Sequence, residues 1–185
     1  RNHLRRVGLF PKGNEYERAV NMLINIHAQA SEGSAEASIR EYSQTFRELI
    51  AAAANVKAGI AGRDPNERGE RRLLNLGHTF AHAIEKNSSE AIPHGQAVSM
   101  GIILAARLAE SLGLTDDLSE RLEADFTACG LPVECPYSIE TLADAMKKDK
   151  KADGAFVHFV LPLGIGHVET RELRVEEAVS ALKDE

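Results

Sequence analysis

The sequence predicts a mainly α-helical domain with one small β-hairpin near the C-terminus. Apolar residues recur at helical spacing through most of the chain. The period changes at AFVHFVLP (155–162) and HVETREL (167–173), which alternate or run apolar and contain β-branched residues. With 185 residues, 43% of them apolar, the chain can bury a sizeable core, so we expect one domain over residues 1–185.

The N-terminal part of the chain predicts two helices. The opening, to about residue 14, contains proline and glycine breakers and is expected to be irregular. The segment EYERAVNMLINIHAQA (15–30) has one apolar stripe and predicts the first helix. SEGS at 31–34 is a break, and a second helix, rich in Ala and Glu, is predicted for residues 35–59.

The middle of the chain predicts a helical hairpin. A polar turn at 62–70 precedes RRLLNLGHTFAHAIEK (71–86), which is expected to form one unbroken helix. After a loop at 87–93 comes the nearly continuous apolar segment 94–114, typical of a buried central helix. Gly113 stands where a C-terminal cap is expected.

The C-terminal part completes the domain. An amphipathic helix is predicted for residues 117–129. Ser138 is a suitable N-cap for a helix that runs through Lys147. The hairpin follows, turning at LGIG, and residues 175–183 predict the last helix.

Composition excludes several classes of protein. The formal net charge of −6 and the scattered Lys and Arg residues argue against nucleic-acid binding. Cys129 and Cys135 do not indicate a disulfide scaffold. There is no apolar run of the roughly 20 residues that a membrane span needs, and no secretory signal, so we expect a cytoplasmic protein. The first 56 residues also lack the strand, Gly-rich turn and helix of a dinucleotide-binding fold.

Three histidines fall close together in the chain. His78 and His82 are four residues apart and project from one helix face, while His94 begins the next predicted helix. A helical hairpin would bring all three together. Imidazole is the commonest ligand of zinc-like metals, and catalytic sites often use three protein ligands. A pair at this spacing also arises by coincidence on amphipathic helices. The metalloprotease pattern HExxH is absent, because Thr79 follows His78.

Further polar residues share the predicted face. Arg71, Asn75, His78 and His82 are spaced four, three and four residues apart. On one unbroken helix they would line a stripe that packing would otherwise make apolar. Burying such groups without partners is costly. The set suits an anionic, hydroxylated ligand beside a metal.

These segments resemble a known family. GERRLLNLGHTFAHAIE (69–85) followed by IPHGQAV (92–98) closely resembles the signature of dehydroquinate synthases and related sugar phosphate cyclases. NVKAGIAGRDPNERG (55–69) is similar to the family's lysine-containing segment. MKKDKKADGAFVHFVLPLGIGHV (146–168) is similar to its DKK segment and hairpin. The resemblance implies the fold of the C-terminal, metal-binding helical domain.

The resemblance also implies roles for individual residues. It makes metal ligands of His78, His94 and a glutamate of the first helix, Glu17 or alternatively Glu15. It implies catalytic, substrate-contacting roles for His82, Asn75 and Lys57, and substrate binding for Arg71, Lys150 and Lys151. Three positions depart from the family pattern: Val20 replaces a lysine, Ala81 a glycine, and Gln96 a glutamate that could orient His94.

The family's reaction is the cyclisation of a seven-carbon sugar acid phosphate with loss of phosphate, a lyase step of the shikimate pathway. Its cofactors are a divalent metal, zinc or cobalt, and NAD. Because the family places its nucleotide domain first, we expect this chain to supply the metal and substrate half. NAD would then be bound by a domain or subunit in trans, within a homodimer or hetero-oligomer, and the chain alone would bind metal without turnover.

Other interpretations stay open at this stage. A related cyclase such as 2-deoxy-scyllo-inosose synthase would share these motifs. A catalytically inactive partner subunit would fit Val20 and the missing nucleotide domain. An unrelated helical metal-binding module is a third alternative.

Overall fold

The computed structural model describes residues 15–31, 40, 43–89, 92–149 and 156–183. These residues are mostly helical and carry a two-stranded antiparallel sheet near the C-terminus, which confirms the predicted fold class. The elements are α1 Glu15–Ser31, α2 Ser43–Arg63, a 3₁₀ helix Glu70–Asn75, α3 His78–Asn87, α4 His94–Ser111, α5 Leu118–Ala128, α6 Ile139–Asp149, β1 Phe156–Gly164, β2 His167–Arg174 and α7 Val175–Lys183. Among the helices of these ranges, none has the length and apolar character to cross a membrane.

Helix α4 is the centre of the core, as its nearly continuous apolar sequence predicted. It contacts α3, α5, α7 and β1. Leu108 and Ala97 on one side pack into the main core with Phe80 of α3. Ile103, on another side, packs against Leu118 of α5. Because both sides are covered, α4 fixes the positions of the elements around it.

The predicted unbroken helix over 71–86 is wrong. The 3₁₀ helix ends at Asn75, and α3 begins at His78. Between them Gly77 has φ +75°, in the left-handed region that favours glycine. Its carbonyl accepts the backbone N–H of Ala81 at 2.9 Å and so begins α3. The stripe of Arg71, Asn75, His78 and His82 is therefore divided between two helices of different geometry.

A close backbone contact explains this break. A Cβ atom added to Gly101 of α4 would lie 2.3 Å from the Gly77 carbonyl oxygen. A Cβ added to Gly77 would lie 2.8 Å from the backbone nitrogen of Ile102. The two backbone segments thus approach each other at positions where neither residue carries a side chain. This tertiary contact, and not local helix propensity, decides where α3 begins.

Helix α2 extends to Arg63, four residues beyond its predicted end. The Arg63 guanidinium donates to both carboxylate oxygens of Glu70 at 2.9 and 2.8 Å. Asp64 accepts hydrogen bonds from the backbone N–H groups of Arg68, Gly69 and Arg71. These bonds, led by that of Arg68, lower the pKa of the Asp64 carboxyl. The polar turn is thereby fixed against the 3₁₀ helix.

The hairpin and its flanking helices agree with the sequence. β1 pairs with β2 from Phe156 opposite Arg174 to Gly164 opposite His167, with an irregularity near the turn. Phe159 of β1 is buried in the core. Ser138 accepts the backbone N–H of Thr141 at 3.3 Å, the predicted N-cap of α6. Helix α7 packs on α6 and α4.

Candidate metal centre

The helical hairpin brings the three histidines together. The ring centroids of His78 and His94 are 5.3 Å apart, although sixteen positions separate them in the chain. His82 lies 5.7 Å from His78 and 6.4 Å from His94 by the same measure. His78 is the first residue of α3 and His94 the first of α4. The close approach at Gly77 and Gly101 holds α3 against α4, so packing of the backbone positions the rings.

Two of the rings have a fixed orientation. Nδ1 of His78 lies 3.0 Å from the carbonyl oxygen of Leu76, and Nδ1 of His94 lies 2.9 Å from Oε1 of Glu85. A carbonyl or carboxylate oxygen only accepts a hydrogen bond, so Nδ1 must donate in both cases. The neutral ring then carries its lone pair on Nε2. Within the described ranges neither Nε2 has a hydrogen-bond partner, which leaves both atoms available to an ion.

His82 differs from the other two histidines. Its side chain is exposed, and no hydrogen bond to its ring exists among the residues that the structure describes. It lines a groove between α3, α6 and β1 together with Thr79, Lys86, Met146 and His158. The groove encloses about 190 Å³, below the roughly 300 Å³ at which sites for drug-sized molecules begin.

The wall of the groove is tied to the 3₁₀ helix. Nη1 of Arg72 lies 3.1 Å from Nε2 of His158 on β1, which therefore acts as the acceptor. The hydroxyl of Thr79 donates to the His158 carbonyl oxygen at 3.4 Å. Sequence reasoning missed Arg72 and His158, because nothing local signals a contact across 86 positions of the chain.

The structure does not bring Arg71 and Asn75 to the histidines by any described contact. The Arg71 guanidinium donates to the carbonyl oxygen of Pro65 at 2.9 Å. The Asn75 amide donates to Glu67 at 2.6 Å. Both side chains thus bond to the turn that follows α2. Lys57 is exposed on α2, and Lys150 and Lys151 lie outside the described residues.

The predicted third ligand, Glu17, is engaged elsewhere. It is exposed on α1 and accepts a hydrogen bond from Nη2 of Arg121 at 2.9 Å. A backbone hydrogen bond at its own position and then the Arg121 contact lower the pKa of its carboxyl. The alternative, Glu15, is the first residue of α1. Helix α1 is held to α5 by this ion pair and by the hydroxyl of Tyr16, which donates to Asp125 at 2.8 Å.

Two imidazoles with Nδ1 anchored and Nε2 available fit a zinc or cobalt ion chemically. Across residues 15–31, 40, 43–89, 92–149 and 156–183, no group of three or more His, Cys, Asp or Glu side chains is arranged to hold a metal. The described side chains therefore supply an oriented pair of ligands, not a complete set.

Glu85 is a further residue that sequence reasoning missed, after Arg72 and His158. It ends the HAIE segment of the quoted motif, three residues after His82, and that position was the available signal. The sequence suggested that Gln96 would affect how His94 is oriented. In the structure the hydrogen-bond partner of His94 is Glu85 of α3. The Gln96 backbone N–H instead bonds to the Pro93 carbonyl oxygen.

The structure is that of a helical domain with an oriented histidine pair at the start of two packed helices, and comparison with known proteins shows which family has this fold. The family model described as 3-dehydroquinate synthase C-terminal matches residues 17–152. The chain belongs to this family, and the resemblance read from the motifs is confirmed.

Individual relatives lead to the same family. The chain is similar to 3-dehydroquinate synthase of Xylella fastidiosa (strain M12), with 43% identity over 143 residues, covering 72% of this chain and 39% of the relative. It is similar to 3-dehydroquinate synthase of Pyrococcus abyssi (strain GE5 / Orsay), with 40% identity over 149 residues, covering 78% of this chain and 42% of that relative. The chain thus spans about two fifths of the length of these curated relatives.

Solved structures share the fold. One is ValA (2-epi-5-epi-valiolone synthase) from Streptomyces hygroscopicus subsp. jinggangensis 5008 with NAD⁺ and Zn²⁺ bound, with a TM-score of 0.65 and 23% identity over 97% of this chain and 48% of that one. Another is 2-deoxy-scyllo-inosose synthase complexed with carbaglucose-6-phosphate, NAD⁺ and Co²⁺, with a TM-score of 0.61 and 18% identity over 76% of this chain and 41% of that one. At these identities the similarity concerns the fold.

Proposed function

We propose that this chain supplies the metal- and substrate-binding half of a 3-dehydroquinate synthase, which cyclises a seven-carbon sugar acid phosphate with elimination of phosphate. The observation that carries the proposal is the His78–His94 pair, with rings 5.3 Å apart and both Nδ1 atoms engaged. The relatives at 40% and 43% identity, both named 3-dehydroquinate synthase, support this activity over that of the less similar cyclases.

His78 and His94 would hold the metal through Nε2, with Glu17 or Glu15 as the third ligand. When bound, the ion supplies a Lewis acid for a substrate oxygen. A ring nitrogen of His82 would accept or return a substrate proton in the groove, as a neutral imidazole can near pH 7. The groove beside His82 would receive one polar substituent of the sugar acid.

The remaining predicted residues are cations and an amide. Arg71, Lys150 and Lys151 would bind the phosphate and carboxylate, Arg71 as a bidentate donor and the lysines as point charges. Asn75 and Lys57 would contact the substrate at the reacting centre. Arg71 and Asn75 must exchange their present bonds to Pro65 and Glu67 to do so. The helix dipoles at the starts of α3 and α4 would favour an anion beside the metal.

We further propose that NAD, the hydride acceptor of the reaction, is bound by a domain or subunit outside residues 1–185. The share of the relatives that this chain covers, 39% and 42%, supports this division. The active unit would be a homodimer or a hetero-oligomer that includes the nucleotide-binding part.

The test compares two proteins. One is the 185-residue chain alone, and the other is this chain fused to the part of the Xylella fastidiosa relative that it does not match. We expect the chain alone to bind one zinc or cobalt ion without turnover. The joined protein should release phosphate from the seven-carbon sugar acid phosphate. His78→Ala and His94→Ala should each abolish metal binding and turnover, whereas Glu123→Gln, in a surface ion pair on α5, should change neither.

Each proposal has its own contrary result. Turnover by the chain alone would refute the external nucleotide site. Phosphate release from glucose 6-phosphate, but not from the sugar acid, would favour the inosose synthase activity. A folded joined protein that binds metal but turns over neither substrate would favour an inactive partner subunit.

A further inference from the structure

We propose that Glu85 is a positioning residue for His94: its carboxylate holds Nδ1–H of the imidazole and thereby presents Nε2 to the metal. This inference rests on the proposed metal site and adds to it a residue that none of the motif-derived roles includes. The proposed interaction is a hydrogen bond between a carboxylate and a metal-ligating histidine. Such a bond fixes the tautomer of the histidine and raises its basicity as a ligand.

The two histidines of the pair are held in different ways. Nδ1 of His78 bonds to the Leu76 carbonyl two residues earlier, so the local backbone orients this ring. His94 begins α4 directly after Pro93, and its side chain is 56% exposed. In the described part of the chain, its Nδ1 has one hydrogen-bond partner, Oε1 of Glu85 at 2.9 Å. Orientation of the second ligand therefore depends on a side chain from the other helix.

Glu85 is well placed for this task. It lies seven residues after His78, two turns further along α3 and on the same face. Its side chain is only 30% exposed, so its contact with His94 is partly shielded from water. Gln96, the residue whose identity departs from the family pattern, is exposed and has no described side-chain bond to His94.

A purely structural role is the alternative. Glu85 and His94 also join the end of α3 to the start of α4, and an exposed polar contact of this kind contributes little to folding. Removal of a purely structural pair would leave the metal affinity of the folded protein unchanged, whatever happens to the tautomer of His94. The tautomer therefore reports whether the hydrogen bond orients the ring, and the metal affinity distinguishes the two roles.

The first measurement is the tautomer of His94 in the metal-free 185-residue chain, from side-chain proton–nitrogen correlation spectra at a pH where the ring is neutral. His94→Ala assigns the signal. We expect the Nδ1–H form in the wild type and a shift toward the Nε2–H form in Glu85→Ala. An unchanged tautomer in Glu85→Ala would overturn the inference, whether or not a metal binds.

The second measurement is Co²⁺ affinity, followed by visible absorption. Loss of an outer hydrogen bond to a ligand typically weakens metal binding by about 10- to 100-fold. We expect such a loss in Glu85→Ala and a smaller one in Glu85→Gln, which retains an acceptor oxygen but no charge. Glu123→Gln is the matched control, because Glu123 is 31% exposed and accepts from Arg107 at 2.7 Å. Affinity equal to the wild type in both Glu85 variants would refute the positioning role.

The outcomes separate the two proposals. The proposed metal site is wrong if the wild type does not bind Co²⁺, or if His78→Ala and His94→Ala bind it normally. In either case the tautomer measurement still shows whether Glu85 orients the His94 ring. If those histidine variants lose Co²⁺ while Glu85→Ala retains it, the metal site stands and the role of Glu85 is refuted.

Discussion

The close contact between α3 and α4 gives a sharp prediction for Gly101→Ala. The new Cβ would lie 2.3 Å from the Gly77 carbonyl oxygen and 3.0 Å from the backbone nitrogen of Ala81. Ordinary contact begins near 3.4 Å, so the first atom pair is about 1 Å too close. Both obstacles are backbone atoms and cannot turn aside as a flexible side chain would. Helices α3 and α4 must therefore separate.

The energetic balance can be estimated. Alanine in place of glycine inside a helix gains about 0.5–1 kcal/mol. Overpacking of a close-packed core costs about 1–3 kcal/mol and occasionally more, and a backbone obstacle belongs at the upper end. We expect a net loss of about 2 kcal/mol in the free energy of unfolding. For a chain of this size that lowers Tm by about 4–8 °C.

The assay is urea unfolding followed by circular dichroism, with Gly62→Ala as the matched control. Gly62 lies in α2, and a Cβ there would meet nothing within 4 Å. Gly62→Ala should therefore be neutral or more stable by up to about 1 kcal/mol. Because the same contact sets the spacing of His78 and His94, Gly101→Ala should also weaken Co²⁺ binding under conditions where it is folded. A Gly101→Ala protein as stable as Gly62→Ala would refute the reasoning.

Two further predictions concern the packing of α1 and of the core. Burial, aided by the hydrogen bond to Asp125, raises the pKa of Tyr16 above its usual value of 10.0. The neutral phenol is favoured in the folded state, so this stability is complete below pH 10 and is lost as the pH rises further. Tyr16→Phe should cost about 1 kcal/mol at neutral pH and be less sensitive to alkali; equal slopes of stability against pH in the two proteins would contradict this. Phe80 is 1% exposed and its ring centroid lies 5.5 Å from that of Phe159, so Phe80→Ala should cost about 3–5 kcal/mol in urea unfolding. Phe156→Ala, at a side chain that is 53% exposed, should lower the free energy of unfolding far less. Similar losses of stability in Phe80→Ala and Phe156→Ala would show that Phe80 is not part of the core.

The sequence by itself determined most of the elements and the proximity of the three histidines. Apolar periodicity predicted α4 as the buried central helix, because both of its sides carry residues that leave water on folding. The change to alternation predicted the hairpin, and Ser138 predicted the start of α6. The spacing of His78, His82 and His94 predicted that their rings lie close together. A helical hairpin with a short loop packs the second helix back against the first, which brings these positions near each other.

Only the tertiary structure decided how the site is built. Gly77 interrupts what reads as one helix because its backbone packs on Gly101, a residue 24 positions away. Because of that break, the side chains of Arg71 and Asn75 bond to the preceding turn. Their spacing in the sequence had predicted that they lie beside the histidines. The partner of His94 was likewise decided by the packing of α3 on α4. Periodicity and capping depend on neighbours in the chain, whereas backbone contacts and the hydrogen bonds of a ring depend on which segments meet in space.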